Sequence, residues 1–226
     1  MTRRNLVGLP FSIFFFIFLL VLLIMLPFFA GGAFRSLGLS FEIGLLIFFI
    51  SLLGSSINIP IYKVRRKEPV ILKKPHSFFD FIYPERENRY RVIQTTIAIN
   101  VGGALVPLFL CIYILFTYPN LISQYAIGTA IIAIISFKLA RPLPGIGIAL
   151  PTFIPPLSAA AVALLIPGDP KAAIAFFSGV MGVLIGADLL NLNGSVRSGA
   201  EFLSIGGAGT FDGIFLTGLL SLFFVP

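Results

Sequence analysis

Long uncharged apolar runs, separated by short polar segments, dominate the pattern along the chain. Several of these runs hold about 20 residues, the length that an α-helix needs to cross a bilayer. We therefore predict an all-α, polytopic membrane protein in which a single transmembrane domain covers residues 1–226. The pattern predicts about seven transmembrane helices, at residues 9–30, 39–59, 92–116 and 124–140, one that ends near 166, and then 171–190 and 202–224.

The segment 142–156 interrupts this pattern because it is rich in helix-breaking residues. It contains five prolines and two glycines, Pro142, Pro144, Gly145, Gly147, Pro151, Pro155 and Pro156. Proline removes a helical hydrogen bond and clashes with the preceding turn, so a regular straight helix is excluded. Irregular backbone at membrane depth is tolerated only where it is buried in protein or lines a water-filled cavity. The sequence therefore predicts a broken or re-entrant segment before the fifth helix.

The segment 61–91 is the one long polar stretch, and it carries nine basic against four acidic residues. Its basic residues alternate with apolar ones, a pattern typical of chain lying on anionic lipid headgroups. A docking site for a cytosolic partner is the alternative. With the N-terminus inside, fourteen of the sixteen Lys and Arg fall on the inner side. The positive-inside rule then predicts N-in topology and a cytoplasmic 61–91 loop.

Composition narrows the class of protein further. Apolar residues make up 58% of the chain, charged residues 11%, and the mean hydropathy is +1.03. These values leave no room for a separate soluble domain, and they place the protein in a membrane, which we predict to be a prokaryotic plasma membrane. The net charge of +7 is explained by the loops, so no nucleic-acid partner is expected. A single cysteine, Cys111, and a single histidine, His76, indicate neither a disulfide nor a metal site, and no cofactor is predicted.

Two aspartates, Asp188 and Asp212, lie in the last two apolar runs. A carboxylate in a membrane segment is costly, so each is a candidate functional residue. Asp188 would lie about 5 Å from the inner end of the sixth helix. A regular helix from Phe202 would place Asp212 about 15 Å deep in the membrane, deeper than Asp188. The two match in depth only if residues 204–210 are extended or looped and the last helix begins near Phe211.

Such a pair would have chemistry suited to hydrolysis. The helical neighbours of Asp188 are apolar, which predicts that it holds a proton. Asp212 in the first turn of a helix would be disposed to lose one. Carboxyl groups in unlike surroundings take the acid and base roles of a catalytic pair. A water between them could attack a peptide carbonyl without a metal or a covalent intermediate.

The segment GAGTFDGIFLTGLL around Asp212 resembles the Gly-x-Gly-Asp signature of presenilin and signal-peptide-peptidase aspartyl intramembrane proteases. In IGADLLNL, Asp188 occupies the place of that family's first aspartate. The sequence departs from the signature, because Thr210 and Phe211 are inserted before the aspartate and Ala187 replaces a tyrosine. The whole chain also resembles an uncharacterised family of prokaryotic multi-pass membrane proteins.

The first resemblance implies an intramembrane aspartyl protease with Asp188 and Asp212 as catalytic residues and a transmembrane helix as substrate. The family's Pro-Ala-Leu element has a counterpart in ALPTFIPPLS. The residues expected to support this site are Gly207, Gly209, Thr210, Asn191, Pro151 and Pro155. Two alternatives are an ion-coupled transporter or channel that uses the same aspartates, and a protein in which the aspartates are structural.

Overall fold

The computed structural model describes residues 8–70, 89–143, 147–197, 199–207 and 213–226. These residues are mainly helical, with α1 Gly8–Phe34, α2 Phe41–Gly54, α3 Val106–Thr117, α4 Ile122–Leu139, α5 Ile154–Leu165, α6 Lys171–Val183, α7 Leu192–Arg197 and α8 Gly213–Ser221. Five strands accompany them, β1 Asn58–Val70, β2 Arg89–Asn100, β3 Arg141–Leu143, β4 Gly147–Ala149 and β5 Phe202–Ile205. The prediction of an all-α fold was therefore wrong in omitting a small sheet.

Helix α6 lies at the centre of the fold and packs against α4, α5 and α8. Its small residues allow this close approach. A methyl group at Gly182 would collide with Ile132 of α4, and one at Gly186 would collide with the Ala133 backbone. Gly179 lies against Thr217 of α8. The four-residue spacing of small residues in this helix is typical of tight packing between membrane helices.

The two N-terminal helices fold back on each other and cover one side of this centre. The chain turns at Gly38, whose φ of 81° suits glycine. The chain bends by 119° between the segments Ile24–Leu37 and Phe41–Gly54. Aromatic contacts fix the pair to the core, with ring centroids 6.2 Å apart for Phe34 and Phe176 and 6.4 Å apart for Phe48 and Phe215.

The predicted third helix begins later than expected, because its first residues form a strand. β2 pairs with β1 in an antiparallel hairpin that runs from Asn58 opposite Asn100 to Val70 opposite Arg89. Its run of β-branched residues favours a strand once a partner is present. The helix starts only with the π-helical turn Val101–Leu105, which leads into α3. The second helix likewise ends at Gly54 and not near 59. Within the basic segment 61–91, residues 71–88 lie outside the described part.

The predicted last helix is interrupted, as depth matching of the aspartates required. Residues Phe202–Ile205 form β5, which pairs in parallel with β2 from Thr96 opposite Phe202 to Ile99 opposite Ile205. Helix α8 begins at Gly213. The sheet order is β1-β2-β5. The chain therefore enters the region of Asp212 from a strand and leaves it in a helix.

The proline-rich segment is also broken. β3 and β4 pair antiparallel, with Arg141 opposite Ala149, and residues 144–146 lie outside the described part. Helix α5 starts at Ile154, with proline in its first turn, where the missing N–H costs little. The predicted interruption is thus confirmed, whereas a re-entrant path through a membrane stays a prediction.

Among the described residues, two helices are long and apolar enough to cross a membrane, Pro119–Leu139 and Lys171–Arg197. The bent pair of N-terminal segments is a third candidate if the two segments together form a single membrane span. The three other apolar helices, Val101–Thr117, Ile154–Leu165 and Gly213–Phe224, are shorter because strands and prolines occupy the neighbouring residues. Length and composition therefore indicate two or three spans, and seven crossings stay a prediction.

A buried hydroxyl ties the sheet to the segment before β5. The Thr95 hydroxyl donates to the Ala200 carbonyl oxygen at 2.6 Å, and Thr95 is 1% exposed. We expect Thr95→Val to lower the free energy of unfolding by about 1–3 kcal/mol, because that carbonyl loses a buried partner. Thermal melting in detergent would measure this. The control is Thr117→Val, since the exposed Thr117 hydroxyl bonds within its own helix. Equal melting temperatures for both variants would contradict the prediction.

Candidate functional site

Asp188 lies in a π-helical turn, Leu184–Leu189, that continues α6. Such turns occur frequently at functional sites. Its carboxyl group is half-buried, and its Oδ2 accepts a hydrogen bond of 2.9 Å from the Gly206 N–H. The sequence showed apolar helical neighbours for Asp188, and the structure adds a backbone donor to its carboxyl group from the residue after β5. This contact joins the end of α6 to the segment that leads toward Asp212.

Gly206 reaches this position because it has no side chain. Its φ is +83°, a conformation that L-residues rarely adopt. A methyl group there would collide with Ala104, in the π-helical turn before α3, and would lie 2.8 Å from the Ala104 backbone nitrogen. Gly207 follows with a φ of +101°. The glycine-rich turn predicted from the sequence thus starts directly at Asp188.

The far end of this segment is described from Gly213 onward. A methyl group on Gly213 would lie 3.7 Å from Leu150 and 4.0 Å from Val183. Val183 precedes Asp188 by five residues, so the start of α8 packs beside the same end of α6. Asp212, Gly209 and Thr210 themselves lie outside the described residues.

The other predicted support residues lie around this region. The Asn191 side-chain amide donates to the Gly186 carbonyl oxygen at 2.9 Å, so Asn191 closes the π-helical turn that carries Asp188. Pro151 is exposed in the stretch between β4 and α5, and Pro155 is buried in the first turn of α5. The adjoining Leu150 would lie 3.7 Å from a methyl group on Gly213, so the proline segment lies near the start of α8.

A polar cluster of Asn58, Asn100 and Ser204 was not identified as part of the site from the sequence. The Ser204 hydroxyl donates to Asn58 Oδ1, and the Asn100 amide donates to the same oxygen at 3.1 Å. Asn100 also donates to the Ser55 carbonyl oxygen at 2.7 Å and accepts from the Gly103 N–H at 2.7 Å. The available signal was a pair of asparagines, one at the first position of β1 and the other at the last position of β2.

The arrangement offers one oriented carboxyl group, that of Asp188, beside the glycine turn at Gly206 and Gly207. Within the described ranges, no three His, Cys, Asp or Glu side chains come together as metal ligands would. A carboxyl group held in this way can transfer a proton or bind a small cation.

Comparison with known proteins gives one match. No curated protein and no solved structure matches the chain. The resemblance to aspartyl intramembrane proteases stays a prediction that rests on the sequence segments alone. The resemblance to an uncharacterised family is confirmed, because residues 52–224, more than half of the chain, match a family described as "Protein of unknown function (DUF1614)". The chain therefore belongs to the DUF1614 family.

Proposed function

We propose that this protein hydrolyses peptide bonds of transmembrane helices, with Asp188 and Asp212 as the catalytic pair. One observation carries the proposal. The last apolar segment is interrupted by β5 and a glycine turn, and the Gly206 N–H of that turn contacts the Asp188 carboxyl group. A continuous helix from Phe202 would have separated the two aspartates in depth.

The proposal includes a multi-pass location in a prokaryotic plasma membrane, with the N-terminus inside. Large apolar side chains on the outer helix faces support it, since such exposure is unfavourable in water. Phe116 and Leu165 are each 84% exposed, and Phe109 is 68% exposed. The exposed Lys63 and Arg65 of β1 suit anionic lipid headgroups at the inner surface.

The proposed chemistry needs only the two carboxyl groups and water. Ionised Asp212 takes a proton from a water molecule, whose oxygen bonds to the peptide carbonyl carbon. Asp188, which starts protonated, gives its proton to the carbonyl oxygen. As the tetrahedral intermediate collapses, the C–N bond breaks and the amine nitrogen takes the proton that Asp212 received. The remaining hydroxyl proton returns to Asp188, so the pair is restored.

The test uses purified protein in vesicles of phosphatidylethanolamine and phosphatidylglycerol. The probe is an apolar helical peptide of about 25 residues, long enough to span the bilayer, with a fluorophore and a quencher at its ends. We expect cleavage that a hydroxyethylene isostere of the peptide inhibits and that EDTA leaves unchanged. Loss of cleavage with EDTA, or no cleavage of any peptide in a varied set, would contradict the proposal.

A second function, ion-coupled transport, is supported by the broken segments around the site. Transporters build ion sites from interrupted helices and intramembrane carboxylates. Here Gly206, in the break between β5 and α8, lies against Ala104 of the π-helical turn Val101–Leu105 and donates to the Asp188 carboxyl group. The same vesicles, loaded with a pH-sensitive dye or a sodium-sensitive dye, distinguish the two functions. A proton or sodium flux that Asp188→Asn abolishes, without peptide cleavage, would favour transport.

A further inference from the structure

We infer that Ser204 and Asn58 are positioning residues that hold the Gly206 N–H against the carboxyl group of Asp188. The effect on catalysis rests on the proposed function. The effect on the Asp188 carboxyl group does not, because it follows from hydrogen bonds among described residues. The inference assigns neither side chain a direct contact with a substrate.

The first step is the attachment of β5. Ser204 lies in β5, and Gly206 is the first residue after the strand, two positions further along the chain. The Ser204 hydroxyl donates to Asn58 Oδ1 across 146 positions of sequence. This bond fixes the end of β5 from which the Gly206 N–H is presented.

The second step is the surface on which Gly206 rests. Asn100 holds Asn58 through its amide and caps the following π-helical turn by accepting from the Gly103 N–H. The next residue, Ala104, is the one that Gly206 contacts. The paired asparagines therefore fix both the strand before Gly206 and the turn beneath it.

The third step is that Asn100 is itself anchored. Its amide donates to the Ser55 carbonyl oxygen just after α2, and Asn100 is 1% exposed. Asn58 and Ser204 are half-buried, and a network whose members are all bonded holds its groups in one arrangement. The position of Gly206 is thus fixed by the end of β5 on one side and by the π-helical turn on the other. The position of its N–H sets the orientation of the Asp188 carboxyl group.

Ser204→Ala isolates this effect because Asn58 Oδ1 keeps its bond from Asn100. We expect an unchanged KM and a kcat lowered about ten- to a hundredfold, the loss typical of a small misplacement of a catalytic group. Ser204→Thr retains the hydroxyl and should restore most of the rate. The control is Ser221→Ala, since that buried hydroxyl bonds to Gly218 within α8.

A second measurement is independent of cleavage. The chain has four aspartates, so protein labelled with ¹³C at the aspartate carboxyl carbon gives four signals, and Asp188→Asn identifies that of Asp188. We expect this signal to shift in Ser204→Ala, to shift less in Ser204→Cys, and to stay in place in Ser221→Ala. If Ser204→Ala does not fold, the Ser204→Cys spectrum decides.

An unshifted Asp188 signal in folded Ser204→Ala would overturn the inference. Where Ser204→Ala does not fold, an unshifted signal in Ser204→Cys would do the same, as would Ser204→Thr behaving like Ser204→Ala. These results are separable from a failure of the proposed function. If the wild-type protein cleaves nothing while the Asp188 signal still shifts, the protease hypothesis fails and the positioning role stands.

Discussion

Replacing either Asp188 or Asp212 with asparagine is expected to lower peptide cleavage by about 10²–10⁴-fold, the contribution typical of a general acid or base. Asparagine has the shape of aspartate but does not take up or release a proton at neutral pH. At position 188 its amide oxygen can still accept from the Gly206 N–H, so the fold should be kept. Initial rates with the fluorogenic peptide in vesicles would measure the loss.

Asp169→Asn is the matched control, since Asp169 is exposed in the turn between α5 and α6 and should tolerate the change. Because a catalytic pair acts as a unit, the double variant should be no slower than the slower single variant. Full activity in either single variant, with melting temperatures equal to that of the wild type, would show that the pair is not catalytic.

Gly186→Ala is expected to cause a large loss of stability. The added methyl group would collide with the backbone of Ala133 in α4, and backbone atoms at the centre of a helix pair cannot rotate away as a side chain can. Overpacking of this kind typically costs about 1–3 kcal/mol or more. Here it would separate α4 from the end of α6 that carries Asp188. Unfolding in mixed micelles at rising denaturant fraction would measure the change.

Gly32→Ala in α1 is the control for this substitution, because nothing lies within 4 Å of a methyl group there. It should stabilise the protein by about 0.5–1 kcal/mol, as alanine does in a helix interior. Matching denaturation midpoints for Gly186→Ala and the wild type would mean that α4 and α6 are not in close contact around Ala133.

The helices that could be predicted from the sequence are those whose pattern needs no distant partner. An apolar run of sufficient length predicts α4, and the spacing of Ser178, Gly182 and Gly186 predicts the tight packing of α6. Residues 92–100 are a case in which the sequence pattern alone does not decide between a helix and a strand. Their β-branched, apolar run is compatible with a helix in a membrane and with a buried strand. The choice is made by pairing with β1, whose residues lie more than twenty positions earlier.

In the candidate site, likewise, some features follow from the sequence alone and others only from the tertiary structure. The sequence alone placed two aspartates in apolar segments and a glycine turn before the second, because the cost of a buried charge and the conformation of glycine are local properties. Only the tertiary structure brought the Gly206 N–H to Asp188 and joined Ser204 to Asn58. Those contacts link residues far apart in the chain, so they depend on how the sheet and α6 pack, and no local pattern encodes that packing.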